Sequence, residues 1–338
     1  MKSYRFINLV LVLFLSAGSL IAVDDGPANS IILKAMKDEL ARNINQLRMD
    51  NLAAPFFIGY KVRDGKTFEV KSTLGATIRA EEYPVRSWNA RVIVGSYQSN
   101  DENFFDFNSI MGVSSQNVSI PLKNDYEGIR RTFWLATDNI YKKAAEQYER
   151  KKAALMQQAI SKNMAALADF SQTAPVKSYN SLNSFSIDKK HWEDLANEIS
   201  VLFRNQPEIF DSEVRVYFYQ AEEYQVNSEG SEIIEPLSLA AIQINAYTQA
   251  ADGEELFDHI LEYAVTPEGL PDKDILIKKV EALIENFKNL RVAPAFAGNY
   301  LGPVYFEGEA VPELFAQMFF RDFNGIIATR KPFVGDPN

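Results

Sequence analysis

The chain has 338 residues, a formal charge of −10, 46% hydrophobic and 12% aromatic residues, and no cysteine. Such a length is well above the size at which a core is hard to build, and it suggests about two domains. The acidic balance argues against nucleic acid and anionic membranes as partners, the composition argues against disorder, and the missing cysteine excludes a lipid-anchored lipoprotein and leaves stability to burial alone.

The N-terminus reads as a secretory leader. Lys2 and Arg5 precede a largely apolar stretch, Phe6 to Ala22, and Asp24 and Asp25 follow. That is the order of a signal peptide. Asn8, Ser16, Gly18 and Ser19 interrupt the stretch, which favours cleavage near Ala22 over an uncleaved anchor. The expectation is export, to the periplasm or outside the cell, with no membrane attachment once the signal is removed.

Residues 29–49 have the three- and four-residue steps of an amphipathic helix, on Ile32, Leu33, Met36, Leu40, Ile44 and Leu47, with Asn29 or Ser30 as cap. From 56 to 97 the period changes to two. Asp64-Gly65 reads as a turn, and Thr67–Thr73, Ala76–Glu81 and Ser87–Tyr97 as further strands of an antiparallel meander, broken at Gly75 and Pro84. Residues 99–119, rich in Asn, Ser and Gly, read as a loop or flap. A long helix is predicted from Tyr126 to Leu167, with Ile129, Phe133, Ala136, Ile140, Ala144, Tyr148 and Leu155 inward and Arg150, Lys151 and Lys152 on a solvated face.

After a linker at 171–186 the first pattern returns. A helix over 189–204 rests on Trp192, Leu195, Ile199, Leu202 and Phe203. Strands follow at Glu213–Glu222, Tyr224–Ser228, Glu232–Glu235, Ser238–Gln249 and Leu256–Val265, with a hairpin turn at Asp252-Gly253. A helix over 272–290 buries Ile275, Ile277, Val280, Leu283, Ile284 and Phe287; then come a short strand, Gly302–Phe306, and a helix from Pro312 to Phe320. The fold class is α+β: two helix-plus-antiparallel-meander units in a weak internal repeat, a long connecting helix, and the beginning of a third domain. The boundaries are 1–22 signal peptide, 23–120 N-terminal α+β unit, 121–298 middle α+β domain and 299–338 start of an incomplete C-terminal domain.

Catalytic constellations are absent from the pattern. His191 reads as a solvated helix residue and His259 as a satisfied strand residue. The pairs Glu81-Glu82, Glu222-Glu223 and Glu254-Glu255 read as solvated turn residues, and Ser72 and Ser228 precede turn glycines with no nearby His. No P-loop, dinucleotide fingerprint or G-x-S-x-G occurs. What remains is surface. Two meanders offer edges for an extended peptide, and Val216–Tyr219 and Phe104-Phe105-Phe107 are either groove lining or, more simply, core.

Three short runs resemble one family. Tyr300-Leu301-Gly302-Pro303-Val304-Tyr305-Phe306-Glu307-Gly308-Glu309-Ala310, followed by Glu313-Leu314-Phe315-Ala316-Gln317, resembles the entry to the C-terminal domain of TldD/PmbA proteins. Arg130–Asp138 resembles the opening helix of their middle domain, and Asn227-Ser228-Glu229-Gly230 a turn within it. In the peptidase branch the matching C-terminal helix carries His-Glu-x-x-x-His, two zinc ligands and a base. Here Ala316, Gln317 and Arg321 stand at those positions. The resemblance therefore implies the PmbA-like branch: no metal or other cofactor held by this chain and no catalytic residue of its own.

The partners it implies are a metal-bearing TldD-like subunit or a homo-oligomer, with a peptide or unfolded protein as substrate. Leu314, Phe315, Met318 and Phe319 are the expected interface. The leading expectation is a non-catalytic member of a TldD/PmbA-type metallopeptidase assembly that holds peptide or encloses a partner's active site. The alternatives are a stand-alone periplasmic binding or scaffold protein, and a fragment of a peptidase whose catalytic part lies on another chain.

Overall fold

The computed structural model describes residues 30–102, 104–105, 119–157, 168–180, 184–294, 298–319 and 333–334. The predicted leader, most of the predicted 99–119 loop, the predicted end of the long helix after Gln157, and Arg321 lie outside the described residues.

The architecture is mixed α+β. Helices are α1 (Ile31–Gln46), α2 (Tyr126–Gln157), α3 (Lys189–Ser200), α4 (Lys273–Leu290) and α5 (Ala310–Phe319). Strands are β1 (Pro55–Thr73), β2 (Ala76–Val94), β3 (Phe104–Phe105), β4 (Lys177–Tyr179), β5 (Ile209–Asn227), β6 (Glu232–Gln249), β7 (Glu255–Ala264) and β8 (Phe333–Val334). Six strands form one sheet in the order β2-β1-β5-β6, with β4 and β7 on successive parts of the far edge of β6. All its pairings are antiparallel except β4 with β6, and β3 pairs separately with β8. A helix followed by a long hairpin occurs at 31–94 and again at 189–249, and the first strands of the two hairpins, β1 and β5, lie side by side.

The strands are far longer than their punctuation suggests. Asp64-Gly65 is no turn: it sits inside the 19-residue β1, where Asp64 pairs with Arg86 across the ladder and Gly65 lies opposite Ala221. A Cβ on Gly65 would fall 2.0 Å from the Gln220 carbonyl oxygen, so glycine serves here as a close-approach residue. Pro84 lies within β2, an edge strand, where a residue without an amide donor is tolerated. Pro236 lies within β6 opposite Glu222, in the interval between the stretches paired with β4 and β7. The hairpin tips are elsewhere. Leu74 and Gly75, with φ of 49° and 82°, turn β1 into β2. At the second tip the Asn227 side-chain oxygen accepts from the Glu229 and Ser231 amides, at 3.1 and 3.0 Å. Asp252-Gly253 does turn β6 into β7.

All helices that build the core cover one face of the sheet. Even-numbered residues of the central strands point into two clusters. Ile58, Tyr60, Val62, Tyr224 and Val226 meet Ile32, Met36, Ile129 and Phe133 of α1 and α2. Phe68, Val70, Val216, Phe218, Ile242 and Ile244 meet Leu195, Ile199, Leu276, Val280 and Phe287 of α3 and α4. One pleat face thus carries both apolar clusters, separated by a polar band that includes Asp64 and Gln220. Val216 and Phe218 belong to it, while Tyr217 and Tyr219 face the other way, half-buried. Ser30 caps α1, its Oγ accepting from the Ile32 amide at 3.2 Å, and Asp188 caps α3.

Several local expectations need correction. In α4 the buried residue of the first turn is Leu276, and Ile275 is exposed, because the core stripe runs 276, 280, 283, 284, 287. Lys151 is not on a solvated face. It is 4% exposed, and its Nζ donates to the Asn100 and Glu102 carbonyls at 2.8 and 2.9 Å and to Asp169 at 2.6 Å. It ties α2 to the segments on either side. Residues 302–306 form no strand: Pro303 lacks a donor, and no described strand lies beside them to complete a ladder.

Candidate functional site

The face of the sheet without helices is polar at its centre. Glu223 is buried between Lys61 and Arg63, at 2.9 and 2.5 Å. Burial alone would raise its carboxyl, and the two cations outweigh that and hold it below its ordinary value. Glu69 is likewise buried between Arg215 and Arg79, at 2.5 and 3.5 Å. These carboxylates fasten neighbouring strands to one another. The expectation that Glu222-Glu223 and Glu81-Glu82 are turn residues fails because both pairs lie well inside continuous strands; Glu82 joins Lys189 and Lys66. Glu254-Glu255 does lie at a turn, exposed.

Toward β7 the same face becomes aromatic. Phe210, Tyr247 and Phe257 form a row with ring centroids 6.4 and 4.8 Å apart, and His259 stacks on Phe257 at 5.6 Å. Phe257 is 52% and Tyr263 73% exposed. Along β7 odd residues face this open side, and even residues turn toward α4: the Asp258 carboxylate accepts from the Asn286 amide at 3.1 Å, and Glu262 pairs with Lys279. A cavity of about 390 Å³ runs beside β7 and α4.

Glu309 closes one side of that cavity, with a carboxylate oxygen 3.5 Å from His259 Nε2. α5 follows immediately. Its Leu314 is half-buried, while Phe315 is 50% and Met318 61% exposed. Phe319 ends the helix, and its side chain is not among those described. Ala316 and Gln317 are exposed, and the Gln317 amide donates to Glu313 at 2.5 Å. The residues at 300–306 carry more exposed apolar surface, on Tyr300, Leu301, Val304, Tyr305 and Phe306. A zinc ion does not fit the donor set of α5, since Ala316 has no ligand atom and the Gln317 side chain is engaged with Glu313.

The other singled-out residues do not converge. His191 is exposed on α3 beside Trp192, at a cavity of about 640 Å³ rimmed by Asp188, Glu268, Asp272 and Asp274. Ser228 Oγ accepts from the Ile58 amide at 3.0 Å, and Ser72 Oγ is buried with no hydrogen-bond partner. Phe104 is buried. No group of three or more His, Asp or Glu side chains placed to hold a metal occurs among the described residues. No described helix is long and apolar enough to cross a membrane.

No protein-family model matches the sequence, and no curated protein does. Solved structures do. The chain is similar to a proposed modulator of DNA gyrase from Bacteroides thetaiotaomicron, at 10% identity and a TM-score of 0.43 over 74% of this chain and 49% of that one. It is similar to TldE from Thermococcus kodakarensis, at 9% identity and a TM-score of 0.38 over 74% and 47%. A further proposed modulator of DNA gyrase, from Thermotoga maritima, matches at 10% identity and a TM-score of 0.37 over 72% and 47%. The chain spans about half the length of each of these structures.

Proposed function

We propose that this chain is an exported, non-catalytic subunit of a TldD/PmbA-type assembly, docking through α5 and the apolar segment before it onto a subunit that carries the metal. The observation that carries the reading is the outward display of Phe315 and Met318 on the helix whose sequence most resembles that family. Apolar side chains on a solvent-facing helix are characteristic of an interface. Ala316 and Gln317 on the same helix replace a zinc ligand and the catalytic base, which supports a supporting role rather than a peptidase role. In that role the chain holds an extended peptide or encloses the partner's active site. The basic-then-apolar start of the sequence supports export to the periplasm or beyond.

The test is metal analysis after purification. The chain alone is expected to hold no stoichiometric zinc and to show no peptidase activity, and both are expected only with a companion bearing His-Glu-x-x-x-His. About one tightly held zinc per isolated chain overturns the proposal. Sequencing the N-terminus of exported protein checks the leader: a mature chain starting near Asp24 is expected, and recovery from the cytoplasm with Met1 retained contradicts it.

A second reading, a stand-alone binding protein, is favoured by the helix-free face with its row Phe210, Tyr247, Phe257. It predicts peptide binding with no companion subunit at all.

A further inference from the structure

We infer that the edge of β7 beside which no described strand lies receives an extended peptide as an added strand, and that the peptide it fits turns apolar residues to the open face and basic residues to the α4 side. The inference rests on the peptide-holding role proposed above and assigns that role a site and a substrate class.

The two long outer edges of the sheet are built differently. β2 carries Arg79, Pro84, Arg86 and Arg91, the charged and proline residues that protect an edge from pairing. β7 is ten residues long and contains no Lys, Arg or Pro. It pairs with β6 over its whole length without a bulge, so it is straight and in register. Among the described residues no other strand pairs with it. Its one self-guarding contact is the His259 amide, which donates to the Asp258 carboxylate at 2.8 Å.

The chemistry on each side of this edge specifies the side chains of a cross-strand neighbour. On the open face an added strand would lie against Phe257, Leu261 and Tyr263, all exposed. Aromatic and aliphatic partners are the stabilising cross-strand pairs there. On the α4 side it would run along the cavity of about 390 Å³ beside Asp258, Glu262 and Glu309. The cations facing that cavity are Lys279, which pairs with Glu262, and His259, which faces Glu309. Three carboxylates against one ammonium leave an acidic excess, which basic residues on that side of the peptide would neutralise. Backbone hydrogen bonds would supply affinity and the two faces selectivity.

The experiment uses the full chain without any companion and a synthetic octapeptide of alternating lysine and valine, labelled for fluorescence anisotropy. Saturable binding is expected, weakened at least about tenfold when lysine is replaced by glutamate in the peptide, and lost when alternate peptide amides are N-methylated along one edge. The N-methylated probe tests strand addition without touching the protein's fold. Asp258→Lys combined with Glu262→Lys is expected to reverse the charge preference, and Leu261→Lys to weaken the lysine-valine probe with circular dichroism unchanged. Equal binding of the glutamate probe, or of the N-methylated one, overturns the inference. So does sedimentation as a dimer that Leu261→Lys dissociates, with no probe binding in either form, since a second copy would then own the edge. Because no companion is present, failure here leaves the metal-subunit test above unaffected.

Discussion

Every buried apolar side chain among the described residues lies between Ile32 and Phe287; between Gly298 and Met318 the large apolar side chains are exposed, except for the half-buried Leu314. Phe133, Phe68, Phe218 and Phe287 are fully buried on one face of a single sheet, whereas Leu301, Tyr305, Phe315 and Met318 meet solvent. The physical cause is neighbourhood. In the first region the apolar stripes of the core helices lie against the pleat of the sheet, and in the second the Glu309–His259 contact joins the residue just before α5 to β7. Stability and the proposed docking onto a companion subunit therefore rest on different stretches of chain, and substitutions should separate them.

The largest expected effect is in the core. Phe133→Ala removes a ring that stacks on Tyr60 at 4.2 Å and meets Trp88 edge-on at 5.6 Å, and it should cost about 4 kcal/mol in denaturant unfolding. Phe315→Ala should change stability by less than about 0.5 kcal/mol. Comparable losses at the two sites would break the distinction.

Next comes Lys151→Met, which takes the Lys151 ammonium from the buried Asp169 carboxylate and from the Asn100 and Glu102 carbonyls and should cost about 3 kcal/mol. A loss as small as that of a surface pair would show that the Lys151 clamp is solvated in solution.

Beside the clamp, burial pushes the Asp101 carboxyl up to about 7, against the pull of the Val94 amide. Its folded value exceeds its unfolded one, so the folded state binds the extra proton between them. The stability tied to this group is fully present below about pH 4 and is lost as pH rises through 7. Glu223 and Glu82, held low by their cations, act in the opposite sense, losing their contribution as pH falls below the ordinary carboxylate range. Thermal unfolding should therefore show a decline from pH 5 to pH 8, and Asp101→Asn should flatten it. An unchanged slope in that variant would mean another group titrates.

The smallest effect is at the first hairpin tip. Leu74 holds a φ of 49°, and Leu74→Gly should relieve it and raise stability by about 0.5–1 kcal/mol. A loss would mean that the Leu74 side chain contributes packing that outweighs the strain.

How much of this was legible in the sequence differs by kind of signal. Periodicity located α1, α3 and the α5 region, because Ile32–Met36 and Leu195–Ile199 repeat at helical spacing against a charged face. Punctuation misled. Asp64-Gly65 and Pro84 look like breaks, but each sits where a long strand tolerates it: against Ala221, or on an edge. Those are facts about neighbouring strands, which the local sequence does not contain. The same reason hid Lys151 and Glu223, whose partners lie 18 and 160 or more residues away. For the candidate interface, the apolar content of 314–319 was readable, whereas the acidic groove beside β7 depends on α4 and Glu309 arriving next to Asp258 and Glu262.

The most direct test of the central claim is sedimentation of the full chain with a companion bearing His-Glu-x-x-x-His, comparing wild type with the double variant Phe315→Glu, Met318→Glu. The account predicts a zinc-containing complex for the wild type, loss of that complex in the variant, and the same unfolding midpoint for both chains alone. A wild-type chain that sediments apart from the companion, or a complex that the double variant leaves intact, would contradict it.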